Sequence, residues 1–180
     1  AALSSSLAGE KCIAACAVAE PGAAERRLVL FDSNGLVASL HEGRYTPVET
    51  SAGRIGVVFG DEGWNPEPVR CLMLEGAEIV LWYGAFEDER RRSIMEKIAR
   101  TRASENRVCV VGSFSGALSE SFIIPPSGAV AASALPGESQ AVFALVRRSD
   151  CRWKTVTPGT DIAAGRHPEA YLPLTETRPF

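Results

Sequence analysis

Short apolar runs bounded by turn-forming residues recur along the chain, and this pattern predicts β-strands. The first three runs are Cys12–Val18, Arg27–Phe31 and Leu36–Leu40. The dipeptide Asn34-Gly35 separates the last two, and Asn-Gly is a strong signal for a tight hairpin turn. The other predicted strands are Val48–Thr50, Ile55–Phe59, Glu78–Tyr83, Arg107–Val111, Phe122–Ile124, Ala129–Ala134 and Ala141–Val146.

Two helices are predicted between these strands. Residues 65–67 (NPE) begin the first, because Asn is a good cap, Pro fits the first turn and Glu favours the positive end of the helix dipole. Glu87–Glu105 forms the second and begins with three acidic residues. The resulting strand–helix–strand order predicts that Ile55–Phe59 and Glu78–Tyr83 are adjacent and parallel. The residues expected to be nearly fully buried are Val57, Val58, Ile79, Leu81, Val108 and Val110.

Length and charge narrow the possible functions. A chain of 180 residues suits one domain. Its 19 basic and 22 acidic residues give a net charge of −3, which provides no electrostatic reason to bind nucleic acid. The longest apolar stretch is far too short to cross a bilayer, so no membrane span is expected.

Cysteine and histidine usage narrows the chemistry further. The five cysteines lack a C-x-x-C pair, and there are only two histidines. A zinc site or a disulfide scaffold is therefore not expected, and nothing in the sequence calls for a metal or a cofactor. Cysteines used as small core residues suggest an intracellular, reducing compartment, either the cytoplasm or an organelle.

Several segments match, in order, the motifs of one protein family. Residues 53–59 (GRIGVVF) and 63–67 (GWNPE) resemble the central signature of the nitrilase superfamily, the carbon–nitrogen hydrolases. The other segments similar to family motifs are 29–37 (VLFDSNGLV), 70–81 (RCLMLEGAEIVL), 102–107 (RASENR), 126–128 (PSG) and 166–171 (RHPEAY). Any one match is weak, but the ordered set is specific.

The resemblance implies a fold and a domain organisation. Members of the family form an α/β fold, a nitrilase-like α-β-β-α sandwich, and the motifs found here belong to the C-terminal two-thirds of it. We therefore expect a version abridged at the N-terminus. Residues 1–150 would form this domain, and residues 151–180, rich in Pro, Gly and Thr, an extended C-terminal tail at a subunit contact.

The resemblance also implies catalytic residues, and the sequence departs from them. The family's Cys nucleophile follows the strand that corresponds to Ile55–Phe59, and here that position is Gly60. The loop expected to carry the catalytic Lys is shortened to Leu40–Val48, which contains no Lys and in which His41 and Glu42 are expected to be solvated. The family's base Glu lies in the N-terminal third, ahead of the matched motifs. Only a vestigial elbow is expected: Gly60, Asp61 and Glu62, with Glu62 in a structural role.

These departures favour a catalytically inactive protein, a pseudoenzyme that acts as a structural or interaction subunit. In the family, the helix after the elbow, the long helix and the tail face another subunit. The candidate contact residues are Val69, Leu72, Met73, Arg166, Pro168 and Tyr171. The expected partner is protein, either as a homo-oligomer or in a hetero-complex.

Two other hypotheses stay open. The first is an active amidase or nitrilase that needs a missing N-terminal segment or a partner, or in which Gly60 replaces a Cys. The second is a small-molecule binding module that uses the vestigial pocket without turnover.

Overall fold

The computed structural model describes residues 13–18, 26–85, 89–116 and 120–176. In this part of the chain a layer of helices, a six-stranded sheet and a three-stranded sheet pack on one another. The six-stranded sheet has the order β4 (Val48–Thr50), β5 (Gly53–Phe59), β6 (Ile79–Ala85), β7 (Cys109–Ser115), β8 (Phe122–Ile124), β9 (Ala132–Ser133). The three-stranded sheet has the order β1 (Ala14–Val18), β2 (Arg27–Asp32), β3 (Gly35–His41). The α-helices are α1 (Pro66–Leu74), α2 (Glu89–Asn106) and α3 (Arg148–Arg152).

Parallel strands form the centre of the large sheet. β5 pairs with β6 in parallel, with Ile55 opposite Ile79, and β6 pairs with β7 in parallel, with Val80 opposite Val110. The other pairs in this sheet are antiparallel. The predicted parallel neighbours are therefore confirmed, and the connection between β5 and β6 runs through α1.

Two apolar clusters cover the two faces of this sheet. On one face α1 and α2 pack against Val58, Val80 and Trp82. On the other face the three-stranded sheet contributes Leu28, Leu30 and Leu40 to a cluster with Ile55, Val57 and Phe59 of β5. Gly56 allows α1 to approach β5 closely, because a Cβ there would lie 2.5 Å from a methyl of Leu72.

Several sequence predictions need correction. Residues 141–146 form no strand, and their backbone has no hydrogen-bonded strand partner among the described residues. The prediction of near-complete burial is confirmed for Val57, Val58, Val108 and Val110. It is wrong for Ile79 and Leu81, which are half-buried because the three-stranded sheet covers β5 more completely than β6. The predicted first strand begins at Cys12, which lies outside the described residues. The start of the predicted long helix falls within residues 86–88, which also lie outside them.

The C-terminal segment has more regular structure than expected. α3 is followed by a small antiparallel hairpin of β10 (Thr155–Thr157) and β11 (Thr160–Asp161) and by two 3₁₀ turns, Pro168–Ala170 and Leu172–Leu174. α3 crosses the proposed boundary at residue 150, and the division into domain and tail stays a prediction. No helix in the described part of the chain is long and apolar enough to span a membrane.

Candidate functional site

The turn from β5 into α1 is the position at which the sequence predicts a vestigial elbow. The chain leaves β5 at Phe59 and passes through a 3₁₀ turn, Gly60–Trp64, before α1 begins. Gly60 has a φ of +48°, in the left-handed region where glycine is favoured. The indole N–H of Trp82 donates a hydrogen bond of 2.9 Å to the Gly60 carbonyl oxygen. The turn is thus fixed to the neighbouring strand.

A guanidinium group occupies the space beside Gly60. A Cβ at this position would collide with Nη1 of Arg26. The Arg26 guanidinium carbon lies 5.9 Å from the centroid of the Phe59 ring, and its Nε donates a 2.9 Å hydrogen bond to Oε2 of Glu42. Arg26 Nη2 also pairs with Oε1 of Glu42. The volume that the first atoms of a side chain at residue 60 would need is therefore filled by a charged group held in place by its partner.

This ion pair changes the proton affinity of both groups. Hydrogen bonding to Arg26 lowers the pKa of the Glu42 carboxyl. The same contact raises the pKa of the Arg26 guanidinium. Both effects favour the charged forms, so Glu42 is a poor general base in this arrangement.

Glu62 binds three donors around the elbow. Its Oε2 accepts the Phe59 N–H at 2.7 Å, and its Oε1 accepts the Gly43 N–H at 2.8 Å and the Tyr45 hydroxyl at 2.9 Å. Burial and the hydrogen bond to Glu62 raise the pKa of Tyr45. These contacts tie the loop after β3 to the end of β5. The structural role of Glu62 stays a prediction, for which these three contacts are the supporting observation.

Asp61 faces outward and contacts the long helix. Its Oδ1 accepts a 2.6 Å hydrogen bond from Nη1 of Arg91 in α2, and both side chains are largely exposed. Exposed pairs of this kind contribute about 0–1 kcal/mol to stability. Asp61 therefore links the elbow to α2 at the surface.

None of the described cysteines lies in the turn Gly60–Trp64. Cys16 is in β1 and Cys71 in α1, both exposed, whereas Cys109 and Cys151 are buried. Burial raises the pKa of Cys109 to about 12, so its thiol is not ionised near neutral pH. None of these four cysteines therefore takes the position at the end of β5 that Gly60 occupies.

A comparison with protein-family models identifies the family of this chain. The family model of carbon-nitrogen hydrolases matches residues 13–153. This chain belongs to the carbon–nitrogen hydrolase family. The resemblance stated from the motifs is confirmed, and so is the α/β sandwich fold.

Solved structures give the same fold assignment. A carbon–nitrogen hydrolase from Helicobacter pylori superposes with a TM-score of 0.81 at 17% identity, over 97% of this chain and 74% of that chain. A variant of a Nesterenkonia amidase of the nitrilase superfamily gives 0.74 at 17% identity, over 96% and 71%. The NitFhit protein of C. elegans gives 0.72 at 21% identity, over 81% and 43%. Identities this low show the fold alone. No curated protein matches this chain by sequence.

Three of the residues that were predicted to contact another subunit lie instead in the core of this chain. Val69, Leu72 and Met73 are almost completely buried between α1 and the six-stranded sheet. Their apolar stripe is used inside the protein, so it is not a contact surface in this conformation. The outward side of α1 carries exposed residues instead, among them Cys71 and Leu74.

The other three contact candidates lie at the surface. Arg166 is half-buried, and Pro168 and Tyr171 are exposed. The Arg166 guanidinium lies 5.9 Å from the centroid of the Tyr171 ring. A cavity of about 750 Å³ separates this part of the tail from α1, and its lining includes Pro66, Glu67, Arg70, Arg166, Tyr171 and Leu174.

The sequence analysis did not identify Arg26 or Tyr45 as residues of the elbow, and it expected Glu42 to be a solvated loop residue. Each comes from a segment distant in sequence from Gly60, and none lies in the motifs that carry the family resemblance. The one available signal was the pairing of opposite charges at the two ends of the β2–β3 hairpin, where Arg26 and Glu42 flank strands that must meet.

Proposed function

We propose that this protein is a catalytically inactive member of the carbon–nitrogen hydrolase family that acts as a structural or interaction subunit of a larger assembly. One observation carries the proposal: Gly60 stands at the end of β5, and the Arg26–Glu42 pair fills the space where a nucleophilic side chain would project.

The chemistry of the family explains why this arrangement argues against turnover. Attack on an amide or nitrile carbon needs a nucleophile, a neighbouring base and a group that stabilises the developing negative charge. Gly60 has no side chain, and Arg26 is neutralised by Glu42. Glu62 already accepts three hydrogen bonds. The charged groups at the elbow therefore stabilise the turn.

The outer surface supports a role in assembly. Leu172 and Leu174 in the tail are 63% and 66% exposed, and Leu174 lines the cavity beside α1. Large exposed apolar side chains that cluster in one region are typical of protein contact sites. A second polypeptide on this surface would cover them.

The activity prediction is tested with a matched set of variants. We expect no steady-state hydrolysis of simple amides, nitriles or N-carbamoyl compounds by the full chain. Gly60→Cys alone, and Gly60→Cys combined with Arg26→Ala to open the space, should also be inactive, because Glu62 is already hydrogen-bonded and residues 40–48 supply no Lys to stabilise an oxyanion. Gly43→Cys is the control for background thiol reactivity, since Gly43 also has a positive φ and open space around it.

Two outcomes would contradict the proposal. Turnover by the unmodified chain that a thiol reagent abolishes would favour an active hydrolase. A chain that sediments as a 19.2 kDa monomer in extracts of its source would contradict the assembly role.

A further inference from the structure

The cavity between α1 and the tail is lined by two arginines that form no ion pair with a described residue. Its volume of about 750 Å³ lies in the range of about 300–1,000 Å³ that is typical of small-molecule sites. Arg70 comes from α1 and Arg166 from the segment that follows β11. Both are half-buried, so two positive charges from distant parts of the sequence meet at one cavity.

Most N–H groups of these two guanidinium groups have no acceptor in the described part of the chain. Arg70 Nη2 donates a 2.9 Å hydrogen bond to the Glu105 carbonyl oxygen at the end of α2. The Arg166 guanidinium forms no hydrogen bond with a described residue and lies 5.9 Å from the centroid of the Tyr171 ring. A guanidinium carries five N–H donors and stays charged, so an oxyanion in the cavity would satisfy donors that are partly shielded from water.

The two guanidinium groups also act on each other. Burial is the main cause that lowers the pKa of Arg70; the nearby Glu105 opposes it, and repulsion from Arg166 adds to it. An anion placed between the arginines would remove this repulsion and be attracted by both.

Two of the three carboxylates that line the cavity are bound to donors of the protein itself. Glu105 Oε1 accepts a 3.0 Å hydrogen bond from Arg102. Asp161 Oδ1 accepts two backbone N–H groups at 2.8 Å, and its Oδ2 accepts the Thr155 hydroxyl at 3.4 Å. The third, Glu67, is exposed in the first turn of α1. The carboxylates therefore leave the two arginines free to bind a ligand.

We propose that this cavity binds a small organic anion. Its carboxylate or phosphate group would bridge Arg70 and Arg166, and its apolar part would lie against Ile162 and Leu174, which also line the cavity. The proposal goes beyond the assembly role and does not rest on it, because the cavity belongs to a single chain.

The test measures binding of four probes to the full chain by calorimetry. Benzoate and phenyl phosphate carry both an oxyanion and an apolar ring, and we expect at least one of them to bind with a Kd of about 1 mM or tighter. Inorganic phosphate, which lacks the ring, and benzyl alcohol, which lacks the charge, should bind at least about tenfold more weakly. In ¹H–¹⁵N spectra the Nε–H signals of Arg70 and Arg166 should shift during titration with the anion that binds.

Matched variants assign the binding to these charges. Arg70→Gln and Arg166→Gln should each weaken binding by at least about tenfold, because each removes charge-assisted hydrogen bonds. Arg70→Gln also removes the bond to Glu105, so Arg166→Gln carries the test if Arg70→Gln does not fold. Glu67→Gln should leave binding unchanged or tighten it, since it removes a negative charge. Arg147→Gln is the control, because Arg147 is exposed and does not line the cavity.

Three results would overturn the inference. They are the absence of saturable binding by both ring-bearing anions, binding of benzyl alcohol as tight as that of benzoate, and binding that Arg166→Gln retains in full. Sedimentation of the same samples separates this inference from the proposed function. A chain that assembles but binds no anion contradicts the site alone, whereas a monomer that binds the anion contradicts the assembly role alone.

Discussion

The two faces of the six-stranded sheet are covered to different extents, although the same strands supply both. Along β6, Val80 and Trp82 point to the helical face and are nearly inaccessible to solvent. Ile79, Leu81 and Tyr83 alternate with them on the opposite face and are only half-buried. The difference in burial therefore arises from the elements that pack on each face, because both sets of side chains belong to the same strand.

The cover on the helical face comes from the connections between successive strands. α1 links β5 to β6 and α2 links β6 to β7, so each helix is placed next to the strands it covers by the chain itself. The other face depends on β1–β3 and on the segment around α3, which come from opposite ends of the described chain. Polar anchors hold that C-terminal segment, chiefly the pair of Glu78 with Arg148 and Arg152. We therefore expect stability to depend on core volume on the helical face, and on pH and charge on the opposite face.

The largest expected effect is on the helical face. Trp82 is 1% exposed, contacts the Phe114 ring edge-on at 5.6 Å between centroids and donates to Gly60. Trp82→Ala should cost about 3–5 kcal/mol of unfolding free energy through lost burial and a cavity. Leu81→Ala, next to it on the half-buried face, should cost about 2 kcal/mol or less. Urea unfolding of the full chain measures both, and equal losses would contradict the difference between the faces.

A conservative variant sharpens this prediction. Trp82→Phe keeps most of the apolar volume but removes the donor to the Gly60 carbonyl. Its cost should fall between those of Leu81→Ala and Trp82→Ala. A cost as large as that of Trp82→Ala would mean that the hydrogen bond to the elbow, rather than packing, dominates the contribution of Trp82.

The second expected effect is a dependence on pH at the N-terminal end of β6. Glu78 is 4% exposed. Burial alone would raise its pKa, but hydrogen bonds from Arg152, Arg148 and the Arg54 N–H outweigh burial and lower the pKa below the ordinary value of 4.5. Its contribution to stability is therefore complete above about pH 4.5 and disappears as the pH falls through the lowered folded-state value.

Glu78→Gln tests this assignment. At neutral pH the variant should lose about 1–3 kcal/mol, less than for a fully buried ion pair, because Arg148 and Arg152 are themselves 39% and 63% exposed. Below pH 4 the difference from the parent should shrink. Glu49→Gln is the control, since Glu49 is an exposed partner of Arg148 at 3.9 Å. A difference between Glu78→Gln and the parent that does not change with pH would refute the ion-pair role of Glu78.

Much of the fold could be predicted because its signals are local. Apolar runs and the Asn34-Gly35 turn locate β2, β3 and β5, and the Asn-Pro-Glu start locates α1. Local signals do not determine what a run packs against. Ala141–Val146 has strand-forming residues, yet a strand exists only when a second edge supplies hydrogen bonds. For the same reason the stripe of Val69, Leu72 and Met73 could not be assigned from sequence to the core or to an interface.

The candidate site was predictable only in part. The motifs around Gly60 place it at the end of β5, and they lead to the expectation of a structural role for Glu62. Arg26 and Tyr45 reach the elbow from separate segments through tertiary packing, which no spacing rule encodes. A glycine at the end of β5 could therefore be predicted from the sequence, whereas the charged group that fills the space beside it could not.

The smallest expected effect concerns the second polar anchor of the C-terminal segment. Lys154 Nζ donates to the carbonyl oxygens of Asn106, Arg107 and Cys151 at 3.1, 2.8 and 2.7 Å. It thereby satisfies the end of α2, where Arg107 has a φ of +50° and the last carbonyls lack helical partners. Lys154→Met keeps the apolar stem but removes these donors, so it should cost about 1–2 kcal/mol.

The matched control for Lys154 is Lys97→Met, a change at an exposed position of α2 that should leave stability within about 0.5 kcal/mol of the parent. Hydrogen exchange locates the effect. The Ile162 amide donates to the Lys154 carbonyl at 3.1 Å in the β10–β11 hairpin, and it should exchange faster in Lys154→Met. Amides of β5 and β6 should change less, because the helical face does not depend on this anchor. Uniform acceleration across both regions would mean that the anchor supports the whole fold, and the two faces of the sheet would then not be energetically separable.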